Sequence, residues 1–185
     1  STECDNSMFY HSDAVPLSIA FGNQGYPTFS TNGKNTMEYS STGGIFTGQS
    51  KTNTVDASTS HANGTVIANS ENSDLTLANG KATVKVTTQF FEAGSGDYYI
   101  AAYLVEDKAK NIQNGQTGSV EHHYVFRNSF DGPWGKKINK TGSMESEEFN
   151  LETVFDDTWI KANMKVITVI YKKNGTKYDF VNAND

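Results

Sequence analysis

The chain has 185 residues and a net charge of -6, with 21 acidic against 15 basic side chains. That length suits one good-sized domain, or a domain plus a fragment. The acidic balance, with Arg127 as the sole arginine, excludes the clustered basic face of a nucleic-acid binder, and the single cysteine, Cys4, excludes an intrachain disulfide or a C-x-x-C redox pair.

Eleven Phe, nine Tyr and two Trp stand among many Asn, Gly, Ser and Thr. Aromatic rings fit half-buried sheet surfaces, and the small polar residues fit turns, so many short strands are expected. The pairs Lys136-Lys137 and Lys172-Lys173 read as solvated turn flanks. Cys4 reads as a surface thiol near a terminus; Glu3 before it is not the small residue that a lipid-anchor site prefers. No window approaches the roughly 18 apolar residues of a membrane helix, and no basic start precedes an apolar run, so no signal peptide is expected within this sequence.

Residues 1–41 differ in character from the remainder of the chain. Ala14 to Phe21 is an apolar run with Pro16 inside it, and a short strand is expected at Thr28 to Ser30, between Tyr26-Pro27 and an Asn32-Gly33 turn. Residues 42–62 are polar and read as a linker or loop, with room for a strand near Ile45 and Phe46.

From residue 63 to 185 the pattern is β throughout. Asn63-Gly64, Asn79-Gly80, Asn114-Gly115 and Asn174-Gly175 punctuate apolar runs, and Asn-Gly suits a type I′ hairpin turn. Strands are expected at Thr65 to Ala68, around Leu75 and Leu77, and at Ala82 to Glu92, where Val84, Val86, Thr88 and Phe90 share one face. Tyr98 to Val105 is apolar on both faces and therefore central. Lys108 to Gln116 reads as a loop and Val120 to Arg127 as one strand. A weakly alternating strand comes next, at Ser143 to Leu151. Asp157 is placed to cap a short helical turn, Met164 to Tyr171 is a second central strand, and Tyr178 to Val181 closes the chain. The expected fold is mainly β: an antiparallel, Ig-like β-sandwich of about seven to eight strands with an irregular N-terminal extension.

Few residues suggest chemistry. In one regular strand His122 and His123 point to opposite faces, so they cannot share a metal, and His11 and His61 lie in distant loopy segments; no metal or cofactor is expected. Arg127 would share a face with His123 and Glu121, with Glu106 and Asp107 on a neighbouring strand. A lone arginine suits bidentate pairing to a carboxylate, so Arg127, His123, Glu106 and Asp107 are candidates for a structural ion-pair and hydrogen-bond group. Trp134, in the turn Asp131-Gly132-Pro133-Trp134-Gly135, is the tentative ligand contact; the alternative is a plug that closes one end of the sandwich. Elbow, phosphate-loop, H-E-x-x-H and calcium-loop patterns are absent, and nothing points to an enzyme.

Two resemblances rest on these residues. Gly25-Tyr26-Pro27-Thr28-Phe29 with Asn32-Gly33 resembles the cis-proline loop and next hairpin of a thioredoxin-like domain, whose redox cysteines have no counterpart here. Three blocks, Ile100 to Asp107 with Ile112-Gln113, Glu121 to Arg127 with Gly132 and Gly135, and Phe155 to Val169 with Val181-Asn182-Ala183, resemble the carboxy-terminal domain of the twenty-eight-kilodalton outer membrane protein family of Gram-negative bacteria. The resemblance covers residues 63–185 well and 8–36 loosely, and it carries no reaction. It implies an extracellular or outer-membrane surface module acting in binding, adhesion or assembly, with another cell-envelope protein or a surface glycan as partner, or a chain supplying the front of the thioredoxin-like unit. A carbohydrate-binding module using Trp134 and nearby tyrosines is the alternative.

Overall fold

Alternation builds the first sheet. In β6 (Lys81–Phe90) every second residue is buried, from Ala82 through Val84, Val86 and Thr88 to Phe90, which is the period-2 signature of a strand with one wet face. The computed structural model describes residues 11–20, 66–112 and 117–185, together with the backbone of short strands between 30 and 45. In chain order the elements before β6 are α1 (Ala14–Ala20), β1 (Ser30–Thr31), β2 (Lys34–Asn35), β3 (Glu38–Ser40), β4 (Gly43–Ile45) and β5 (Ala68–Ala78). After it come β7 (Tyr98–Glu106), β8 (Ala109–Ile112), β9 (Ser119–His122), β10 (Val125–Phe130), β11 (Lys136–Ile138), β12 (Ser146–Val154), a 3₁₀ turn (Lys161–Asn163), β13 (Met164–Asn174) and β14 (Lys177–Asn184).

β12, β6 and β5 form a three-stranded antiparallel sheet. The second sheet has five strands, in the order β10, β7, β13, β14, with β11 also pairing to β7. Val84, Phe90, Phe149 and Leu151 of the first sheet meet Ile100, Leu104, Phe130 and Ile170 of the second in one core. This is the expected mainly antiparallel sandwich. β7 is central, buried at eight of its nine positions, and its two faces serve different layers: Ile100 and Leu104 enter the core, while Ala101, Tyr103 and Val105 join Val169 and Tyr171 in a second apolar cluster on the sheet's outer face.

Turn chemistry matches the expected glycines where the residues are described. Asn79 and Gly80 both have positive φ, 54° and 72°, as a type I′ turn requires. At the other hairpin, Asn174 still pairs with Lys177, so Gly175 (φ 62°) takes the first central position, which fits a type II′ turn instead. Asn63-Gly64, Asn114-Gly115, the Asn32-Gly33 turn, Tyr26-Pro27, Cys4 and His61 lie outside the described residues.

Several elements differ from expectation. The run from Ala14 is helical through Ala20; Pro16 is tolerated because first-turn N–H groups have no partner within the helix. β4 does form and pairs with β3, Tyr39 opposite Gly44. The two strands expected around residues 65–78 are one strand, β5, whose register shifts between Ser73 and Thr76; Asp74 at φ 57° absorbs the extra residue as a bulge. The loop expected after Lys108 contains β8, which pairs with β9 as a hairpin. The single strand expected at Val120 to Arg127 is broken at Tyr124 (φ 54°), where the chain passes from that hairpin into the five-stranded sheet. Lys136 and Lys137 open a short strand, β11, anchored by buried Ile138. Asp156, not Asp157, organises the turn before β13, its Oδ1 accepting from Thr158 N at 2.8 Å.

The long sides of the sandwich are stitched by side chains. Asn182 Nδ2 donates to Ala68 O (3.2 Å) and Asn184 Nδ2 to Ser70 O (2.9 Å), joining β14 to the edge strand β5. Asn128 Nδ2 donates to Val154 O (3.2 Å) and Thr153 Oγ1 to Ser129 O (2.8 Å), joining β10 to β12. Within the core Ser70 Oγ and Thr168 Oγ1 lie 2.9 Å apart, so two buried hydroxyls satisfy each other across the sheets.

Candidate functional site

The acidic end of β7 and the bulged start of β10 create the first site. Phe126 lies opposite Val105 and Asn128 opposite Leu104, so Arg127 is the extra residue of a β-bulge. Bulges re-aim side chains, and this one turns Arg127 inward. Its Nε and Nη2 donate to Glu106 Oε2 at 2.8 and 2.6 Å, and Glu106 Oε1 accepts from Ile160 N at 3.1 Å. The two side chains are only 5% and 3% exposed. Removing both charges from water is costly, and the several hydrogen bonds to Glu106 offset that cost. The guanidinium also lies 5.4 Å from the centroid of the Trp159 ring, within cation–π reach.

Asp107, one residue on, faces the other way. Its Oδ1 lies 2.6 Å from His123 Nδ1, with Lys165 Nζ 3.9 Å from Oδ2. The hydrogen bond from His123 is the chief cause holding the Asp107 carboxyl below its ordinary range, with Lys165 adding to it. His123 Nε2 also lies 3.5 Å from Glu121. The four candidates therefore separate into two pairs, Arg127 with Glu106 and His123 with Asp107. The expected common face of Arg127, His123 and Glu121 is lost because the strand breaks at Tyr124. His11 lies against the Phe126 ring instead, centroids 5.3 Å apart, and among the described residues no three His, Cys, Asp or Glu side chains gather where they could hold a metal.

Above the Arg127–Glu106 pair opens a cleft of about 710 Å³. One wall is the β8–β9 hairpin with Lys110 and Glu121; the facing wall is the β12–β13 connection with Asp156, Trp159 and Ile160. Hydrogen bonds from the Thr158 backbone and side chain, with a further contribution from Arg127, keep the Asp156 carboxyl below its ordinary range. Trp159 packs edge-on against buried Phe155, centroids 5.6 Å apart, and against the main core.

Trp134 occupies a different place. Its ring stacks on Tyr178 (4.4 Å, 4°) and meets Tyr171 edge-on (5.2 Å, 81°), so it lies on the outer face of the five-stranded sheet. The turn carrying it is tied down by Tyr103, whose hydroxyl donates to Pro133 O at 2.6 Å and lies 3.1 Å from that of Tyr171. Burial pushes the Tyr103 hydroxyl far above the ordinary phenol range, and the neighbouring Tyr171 adds to it. Gly135 closes the turn at φ 68°, where a Cβ would fall 1.9 Å from Ile100 O. α1 and the residue before it reach the same face: Leu17 packs on the outer cluster, and Ser129 Oγ donates to Asp13 Oδ2.

Sequence reasoning overlooked Trp159, Lys108 and Lys110 as cleft residues, and Tyr103, Tyr171 and Tyr178 as partners of Trp134. The apolar second face of β7 was the available signal for the tyrosines; nothing in the order of residues brings 108–110 and 156–160 together.

No family model and no curated protein sequence matches this chain. Among solved structures it is similar to HBP35 of Porphyromonas gingivalis, with a TM-score of 0.69 and 19% identity over 93% of this chain and 55% of that one. A domain of the outer membrane lipoprotein Omp28 from Porphyromonas gingivalis overlaps 64% of this chain and 85% of its own, with a TM-score of 0.46 and 14% identity. The chain spans about half the length of HBP35 (55%), and what the two share is a fold.

Proposed function

We propose that this chain is a non-enzymatic β-sandwich module of the bacterial surface, extracellular or on the outer membrane of a Gram-negative cell, acting in binding or as a structural subunit of a surface assembly. The observation that carries the reading is the outer face of the five-stranded sheet. A free-standing sandwich keeps that face polar; here it is an aromatic layer of Tyr103, Phe126, Trp134, Tyr171 and Tyr178, and a helix from the start of the chain is seated on it through Leu17. Such a sheet is a platform for another layer of protein. The sequence resemblance to the carboxy-terminal domain of the outer membrane protein family supports the location, and the fold shared with HBP35 is compatible with it. The partner is another cell-envelope protein, a surface glycan or a chain completing the N-terminal unit.

Fractionation of the source cells, with protease treatment of intact cells and identification of co-purifying chains, tests this. The chain is expected in the outer-membrane or medium fraction together with an envelope protein; recovery from the cytosol overturns the reading. The version in which Trp134 stacks on a sugar is less favoured by the geometry, because one face of its ring already lies against Tyr178.

A further inference from the structure

The geometry points to the cleft between the β8–β9 hairpin and the β12–β13 connection as a binding site for a neutral saccharide. This goes beyond the surface-module reading and does not depend on it. The volume, about 710 Å³, lies in the ~300–1,000 Å³ usual for small-ligand sites. The floor is preorganised: Arg127 and Glu106 are buried, bonded to each other, and fastened through Ile160 N to the facing wall. A ligand therefore meets fixed groups.

The charge of the lining selects the class of ligand. Lys108, Lys110 and Arg127 are balanced by Glu106, Glu121 and Asp156, and Lys110 and Glu121 stand directly opposite each other in the hairpin. A phosphate or carboxylate ligand would meet the Glu121 and Asp156 carboxylates, and a cationic ligand would meet the two lysines. A sugar hydroxyl both donates and accepts, so neighbouring hydroxyls use ammonium donors and carboxylate acceptors at once. Ile160, 52% exposed, supplies an apolar side for the C–H groups of a pyranose ring, beside Trp159, whose ring already carries the Arg127 guanidinium.

The test is amide chemical-shift titration of the full chain with maltose, cellobiose, lactose and chitobiose, each to about 10 mM, a range that reaches weak millimolar affinity. Saturable shifts confined to residues 108–110, 121 and 156–163 are expected with at least one sugar. The double variant Lys110→Ala, Glu121→Gln changes two exposed side chains; it should keep the parental melting temperature and bind about tenfold more weakly or worse, the loss expected when roughly 1.4 kcal/mol of contact is removed. Absence of saturable shifts with all four sugars overturns the proposal. So do shifts centred on Trp134, or parental affinity in the folded double variant. None of these results bears on where in the cell the chain resides.

Discussion

Arg127 illustrates what a single residue does in this molecule. Lysine offers one ammonium in place of a planar fork, so it cannot reproduce the two N–H contacts to Glu106 Oε2. Arg127→Lys is expected to lower stability by about 1–2 kcal/mol, and Glu106→Gln, which leaves a buried guanidinium without its counter-charge, by about 3–5 kcal/mol; urea unfolding at pH 7 measures both. Equal midpoints for parent and Arg127→Lys would show that the fork contributes nothing. Asp107 acts on a different variable. Its folded-state pKa is depressed by His123 and Lys165, so its contribution is present above the unfolded carboxyl pKa and disappears as pH falls through the folded value. Asp107→Asn should therefore flatten the unfolding midpoint against pH below about pH 4. A curve that retains the parental acid limb would place the acid sensitivity elsewhere.

Among the elements, the turn between β10 and β11 is the one whose geometry is least forgiving. Gly135 lies against the β7 backbone at positive φ, so Gly135→Ala must displace Trp134 or unpair β11, at an expected cost of about 3 kcal/mol or more. Thermal unfolding gives the loss, and near-ultraviolet dichroism of Trp134 gives its cause. The same turn marks how far the sequence could be read. β7 was legible because both its faces are apolar, and β6 because its burial alternates without a break. β11 was not, because a single residue, Ile138, anchors it, and β8 was not, because only Ala109 in it is buried; both are held by backbone pairing, which leaves little trace in residue type. α1, at seven residues, is too short to display a helical period. The bulge at Arg127 and the break at Tyr124 set the candidate site, and neither has a residue signature, since both arise where two sheets with different registers join.

At the scale of the whole molecule, the sandwich is closed along its length by amides and hydroxyls. β5 is tied to β14 where Asn182 and Asn184 donate to the Ala68 and Ser70 carbonyls, and β12 is tied to β10 through Asn128 and Thr153. Each such bond contributes about 1 kcal/mol, and a carbonyl so engaged is not offered to a foreign strand. Asn182→Ala, Asn184→Ala in one chain should lower stability by about 2 kcal/mol and raise amide exchange along β5; unchanged exchange there would show that the strand is held by its core contacts alone. The seat of Leu17 on the outer aromatic layer bears on how the protein is handled in the laboratory. A fragment begun at residue 63 would keep every strand of both sheets and lose the helix whose Leu17 packs on the outer cluster. It should fold, yet bind a hydrophobic dye and self-associate on a sizing column, whereas a chain that includes residues 11–20 should elute as a discrete species.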